Sequence, residues 1–93
     1  MFLEKSNLKY KDYKWTAYSK EDPRITGKPK TTPFNKQEGN EVLSLINEFA
    51  FAFELSESKD TEKIEKMIHD NLPEDALTRK SALDWIEFNW NKY

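Results

Sequence analysis

Residues 35–55 read NKQEGNEVLSLINEFAFAFEL, and this stretch decides the fold class. Val42, Leu45, Ile46, Phe49 and Phe53 recur at i, i+3, i+4, i+7 and i+11, the period of one helix face. Asn35, followed three residues later by Glu38, has the form of a capping box with Asn in place of Ser or Thr. The spacing predicts a helix from about Lys36 to Leu55. Leu43, Ala50, Phe51 and Leu55 add apolar surface away from the main face. A helix apolar over more than half its circumference is central to a fold or carries an interface.

C-terminal to this stretch, Ser56–Lys59 reads as a break. Asp60 or Thr61 can cap a second helix over Glu62–Asp70, with Ile64, Met67, Ile68 and Leu72 as its apolar stripe. Pro73 disfavours helical geometry at Leu72 and ends it. Glu74–Leu77 has room for a single turn. Thr78 can cap a third helix over Arg79–Lys92, where Leu83, Ile86 and Trp90 share a face that Ala82, Trp85 and Phe88 widen.

N-terminal to it the pattern changes. In residues 8–18, LKYKDYKWTAY, Leu8 and Tyr10 alternate in phase, as do Tyr13, Trp15 and Ala17, but the two sets are out of step across Asp12. Tyr, Trp and Thr favour extended backbone, so two short strands or one bulged strand is expected. Tyr10, Tyr13 and Ala17 also fit a helical spacing. Residues 19–34 form a long connection punctuated by Pro23, Gly27, Pro29 and Pro33, expected as an ordered arm over the helices. The expected architecture is mainly α: one domain over 1–93, with three helices and an N-terminal extended arm or short β-hairpin. Trp15, Phe34, Phe53, Leu83 and Trp90 join the helical stripes in the expected core.

Charge follows the same division. Residues 1–37 carry nine Lys/Arg against four Asp/Glu, and residues 38–93 carry six against thirteen, so a formal net charge of −2 conceals a basic and an acidic part. A basic aromatic arm with a Pro-containing loop (1–34) thus precedes an acidic helical part (35–93). Such asymmetry points to a binding protein. The chain has no cysteine, which excludes a disulfide framework, a thiolate zinc site and a thiol nucleophile. No signal-peptide pattern opens it, and Val42–Leu55 is too short to span a bilayer, so a soluble cytoplasmic protein is expected.

Little catalytic equipment is visible. His69 is the only histidine; it can join Asp70 and Glu65 at a metal, but a surface histidine near a helix C-terminus is the simpler reading. Gly27-Lys28 lacks the frame of a phosphate-binding loop, and no nucleophile elbow surrounds Ser44, Ser56, Ser58 or Ser81. The carboxylate pairs Glu62/Glu65, Glu74/Asp75 and Asp84/Glu87 read as solvated helix faces, because a catalytic dyad needs burial to separate its pKa values. The expectation is a non-enzymatic protein without cofactor or metal.

Binding signals are stronger. Lys9, Tyr10, Lys11, Tyr13, Lys14 and Trp15 interleave cations with rings, the make-up of a single-stranded RNA or DNA platform. Tyr13 and Trp15 can equally be core residues with the lysines on the wet face. The acidic part suits docking on a basic nucleic-acid-processing protein, with Trp85, Phe88 and Tyr93 as anchors beside Asp84 and Glu87. Self-association through the second apolar side of Lys36–Leu55 is a third reading.

Asp22-Pro23-Arg24-Ile25-Thr26-Gly27-Lys28-Pro29, Thr32-Pro33-Phe34-Asn35, Glu38-Gly39 and the closing Trp85-Ile86-Glu87-Phe88-Asn89-Trp90 resemble segments of small uncharacterised bacterial and mobile-element proteins. In size and acidity the chain is also similar to phage-encoded inhibitors such as anti-CRISPR proteins. The first resemblance implies no activity, cofactor or catalytic residue; the second implies an inhibitor or accessory of a larger effector.

Overall fold

A computed structural model describes residues 4–17, 21–26, 32–76 and 78–93. Three helices carry the fold: α1 (Gly39–Ala52), α2 (Ser58–Lys66) and α3 (Arg79–Asn89). A 3₁₀ turn at Lys5–Asn7 and one helical turn at Pro23–Thr26 precede them; Trp90–Lys92 closes α3 as a further 3₁₀ turn. The described residues contain no strand, only isolated bridges between Lys14 and Glu38 and between Pro33 and Thr78. Of the two expected forms of the N-terminal segment, the described residues take the arm, not the hairpin. The turn expected at Gly27 and Pro29 lies outside the described residues, as does Leu77.

α1 starts later than expected because residues 37–39 are drawn into contact with the arm. Lys14 donates its amide to the Gln37 carbonyl (2.8 Å), and Gly39 donates to the Lys14 carbonyl (2.7 Å). These bonds hold Glu38 extended, so Glu38 is the N-cap residue and caps without its side chain. The Asn35–Glu38 capping box therefore does not form. Asn35 instead accepts the Gln37 amide on Oδ1 (2.9 Å) as a local turn, and the Glu41 carboxylate takes the Asn35 amide (3.1 Å).

Gly39 has a steric reason to be glycine. A Cβ there would lie 2.5–2.6 Å from the Trp15 indole. Gly39→Ala must push Trp15 off α1 and strain the Lys14 bonds; a loss of about 1–3 kcal/mol is expected in urea unfolding, despite the better helix propensity of alanine.

At its other end α1 stops through a Schellman-type turn: Leu55 donates to the Ala50 carbonyl (2.8 Å) and Glu54 to that of Phe51 (3.3 Å), with Glu54 left-handed at φ 55°. Phe53 is the C-cap residue and is 47% exposed, so it is not the core residue its spacing suggested. Beyond the last helical residue the 3.6-residue period no longer applies, and the Phe53 ring stacks at the rim on Phe49 (4.5 Å).

α2 begins four residues before the expected Glu62. Glu57 is its extended N-cap residue, and Asp60 and Thr61 lie within the helix. Thr61 donates its hydroxyl back to the Ser58 carbonyl (3.0 Å). The helix continues as a π-turn, Met67–Asn71, and Leu72 is extended ahead of Pro73. α3 starts where expected: Thr78 Oγ1 accepts the Ser81 amide (3.1 Å).

The core joins all three helices to the arm. Val42, Leu45, Ile46 and Phe49 of α1 meet Ile64 of α2, Met67 and Ile68 of the π-turn, and Ala82 and Ile86 of α3; Leu8, Tyr13, Phe34 and Leu72 close it. Trp15, Leu83 and Trp90 pack partly buried against its edge. Among the described residues no helix is long and apolar enough to cross a membrane.

Candidate functional site

Two constellations stand out, one where the arm meets α2 and one at the C-terminal ends of α1 and α3. The first is organised by Glu65. Its carboxylate is 1% exposed and accepts the main-chain amides of Lys9 (2.9 Å) and Tyr10 (3.2 Å) and the Tyr13 hydroxyl (2.9 Å). A buried carboxylate needs such donors to offset its lost hydration. Burial, reinforced by the Glu65 charge and by the hydrogen bond to it, pushes the Tyr13 phenol far above its ordinary range.

One helical turn beyond Glu65, His69 takes up the next part of the arm. Its Nδ1 lies 2.7 Å from Asp70 Oδ1, and its Nε2 lies 2.9 and 3.0 Å from the two oxygens of Asp12. Tyr10 stacks on the imidazole at 3.7 Å between ring centres and donates its hydroxyl to Asp70 (2.9 Å). Partial burial by itself lowers the His69 pKa, but the hydrogen bonds to Asp70 and Asp12 outweigh it and hold the group above 6.5. The bonds to His69 in turn depress both aspartates below the usual carboxylate value, Tyr10 adding to the effect at Asp70.

This geometry locates every residue of the expected nucleic-acid platform. Tyr13 is buried; Tyr10 has one face on His69; Trp15 lies against Gly39 at the core edge. Lys9, Lys11 and Lys14 are exposed on the outer side of the arm. Lys9 pairs with Glu62 (3.1 Å), and Lys11 reaches the Leu8 carbonyl (3.3 Å). Lys11 shares a surface cleft with Tyr10 and Trp15, whereas a base stacked on Tyr13 or on the His69 side of Tyr10 would have to displace Glu65 or His69.

The second constellation is a groove of ≈ 230 Å³ between α1 and α3, lined by Glu48, Phe49, Ala52, Phe53, Leu83, Asp84 and Glu87. Glu48 is held from behind by Arg79, a 2% exposed side chain whose Nε and Nη2 both reach Glu48 at 2.9 Å, with Nη2 also on Ser44 (2.9 Å). Asp84 is bridged by Lys80 (2.7 Å). Phe88, one residue beyond Glu87 on α3, is 80% exposed; Phe51 on α1 is 79% exposed and Tyr93 54%. Trp85 is half-buried, 6.0 Å from Tyr93 between ring centres, and Trp90 packs on Phe49 (5.5 Å) under the Lys63 ammonium.

Of the residues expected to meet a partner, Asp84 and Glu87 line the groove, Phe88 and Tyr93 are exposed, and Trp85 is half-buried. Phe53, whose spacing predicts a core residue, also lines the groove. Among the described residues no group of three or more His, Cys, Asp or Glu side chains is arranged to hold a metal ion. No family model matches the chain, nor does any curated protein or solved structure. The functional reading therefore rests on the geometry alone.

Proposed function

We propose that the protein is a non-enzymatic protein-binding module that docks a partner along the groove between α1 and α3. The observation that carries this reading is a groove in which the exposed Phe53 lies with Asp84 and Glu87, together with the exposed Phe88 next to Glu87 in the chain. Aromatic anchors beside charge are the usual centre of a binding surface. The fitting partner presents apolar side chains for Phe53 and Phe88 and cations for the carboxylates. Basic channels of nucleic-acid-processing proteins have that make-up, so the sharper form of the proposal is an accessory or inhibitor of such an effector, in the manner of anti-CRISPR proteins.

The test is affinity capture from cells of the source organism after nuclease treatment, comparing the natural chain with Phe88→Ser/Glu87→Lys. Both side chains are exposed, so the variant keeps its fold. A basic protein retained by the natural chain, and bound roughly 30-fold more weakly by the variant, supports the proposal. Equal retention by both chains overturns it. Retention that vanishes with nuclease favours the second reading, phosphate binding by the outward Lys9, Lys11 and Lys14, which predicts salt-sensitive capture lost in Lys9→Glu/Lys14→Glu. A light-scattering mass near twice 11.1 kDa favours self-association instead.

A further inference from the structure

His69 touches carboxylates at both ring nitrogens, and this has a protonation requirement. A neutral imidazole carries one N–H and can donate to one carboxylate only; two ionised partners within 3.0 Å require the imidazolium. The two partners are not equivalent. Asp70 follows His69 in the chain and also accepts the Tyr10 hydroxyl (2.9 Å), whereas Asp12 belongs to the arm and its side chain is 70% exposed.

The arm around Asp12 is tied on both sides by main-chain bonds that do not involve His69. Lys9 and Tyr10 are held by Glu65, and Lys14 is held by Gln37 and Gly39. Tyr13 is held too, with its hydroxyl on Glu65 and its ring in the core. Between these ties lie Lys11 and Asp12, and Asp12 reaches the imidazole. We propose that His69 is a proton-operated latch: its imidazolium fastens Asp12 to the π-turn, and loss of the proton to solvent frees residues 11–12 while the flanking ties persist.

The other groups facing His69 support this assignment of roles. Tyr10 stacks on the ring and Tyr13 meets it edge-on at 6.1 Å; neither titrates near neutrality. Glu65, on α2, is occupied by the arm amides and Tyr13. Lys66 faces Asp70 from the end of α2. Lys36, Gln37 and Glu74 share a cleft of ≈ 370 Å³ with Asp12, Tyr13 and His69, but Lys36 is bound to the Leu72 carbonyl (3.1 Å) and lies near Glu74 (3.8 Å). When the proton leaves, the Nε2 lone pair opposes the Asp12 oxygens, while Nδ1–H stays on Asp70. Asp12 swings out, the cleft widens, and Nε2 becomes an open acceptor at its wall.

The sign follows from linkage. A histidine held above its unfolded value contributes stability that is complete below about 6.5 and fades as pH rises through the folded pKa. The depressed aspartates contribute above 3.8, and theirs fades as pH falls through their folded values. The latch is closed between these limits and opens on the alkaline side.

NMR tests this directly, because one histidine gives one set of imidazole resonances. The expected result is a His69 midpoint above 6.5, with the Lys11 and Asp12 amides shifting at the same midpoint. Their ¹H–¹⁵N heteronuclear NOE values should drop between pH 5.5 and 9, while those of Lys9, Tyr10, Tyr13 and Lys14 hold. Asp12→Asn, at an exposed site, should lower the His69 midpoint and leave residues 11–12 equally mobile at both pH values. A midpoint at or below 6.5 in the natural chain, or residues 11–12 equally ordered at pH 5.5 and 9, overturns the proposal. So does an unchanged His69 midpoint in Asp12→Asn.

Discussion

Glu65→Ala is expected to destabilise the fold by roughly 3–5 kcal/mol, because it leaves three donors of the arm without an acceptor. Lys9 N–H, Tyr10 N–H and the Tyr13 hydroxyl all converge on that one carboxylate, which α2 holds beneath the arm. Water can reach the two amides in part; the Tyr13 hydroxyl lies in the core. For a chain of this length such a loss lowers Tm by roughly 15 °C or more. Glu65→Gln keeps one acceptor oxygen and replaces the other with an amide that clashes with a donor, so about half the loss is expected. Urea unfolding followed by circular dichroism checks both variants. A cost below about 1 kcal/mol for Glu65→Ala would show that the arm does not depend on Glu65.

The second large effect is expected at Arg79. Its side chain is among the largest fully buried ones, and it connects α3 to Glu48 and Ser44 of α1 while its amide binds the Thr32 carbonyl (2.9 Å). Arg79→Met keeps most of the volume but strands the Glu48 carboxylate in the wall of the groove. Removing one partner of a buried pair costs about 3–5 kcal/mol; Glu48 is 27% exposed, so solvent reduces this to about 2–3 kcal/mol. Arg79→Met/Glu48→Gln should recover more than half of it, because the stranded charge is gone. If the double variant is as unstable as the single one, Arg79 works through packing rather than through the pair. Arg79→Lys should also be costly, since an ammonium cannot reproduce the fork that meets Glu48 at two nitrogens.

These two residues also show where reading the sequence stopped. The helices were legible from period and caps: Thr78 starts α3 through its side chain, and Pro73 ends the second helical segment as expected. Boundaries were missed where tertiary contact overrides local signals. Asn35–Glu38 has the composition of a capping box, but the Lys14 bridge holds Glu38 extended and moves the start of α1 to Gly39. Ser56–Lys59 lacked apolar residues and read as a break, yet Ser58 and Lys59 supply the first turn of α2. Phe53 fitted the α1 face by spacing, but it is the C-cap residue, one past the helix, where the 3.6-residue period has ended.

The candidate site was less legible, because its organisers are charged residues within apolar stripes. Glu65 is in helical register with Ile68 and Leu72 at i+3 and i+7, and Arg79 with Ala82 and Ile86 at the same spacings. Glu65 reads with Glu62 as a solvated face, and Arg79 only as the first residue of a helix. A carboxylate or guanidinium inside a stripe is the signal that a long-range partner must exist, though spacing cannot name it. His69 read as a surface histidine because its partners Tyr10 and Asp12 are 59 and 57 positions away in the chain. On α3 the spacing lets Phe88 widen the Leu83–Ile86–Trp90 face, yet its ring is 80% exposed.

The grip of Glu65 on Lys9 and Tyr10 is a grip on peptide groups, and peptide groups are the same for every residue except proline. The hold on Lys14 is of the same kind. Apart from the solvent-exposed Lys9–Glu62 pair and the reach of Lys11 to the Leu8 carbonyl, the ties of the arm do not read the side chains at positions 9, 11 and 14. Those positions form a rewritable strip whose polarity can be inverted over the same scaffold. Mutational drift there can retarget the molecule at small structural cost, and a protein engineer can use the same freedom.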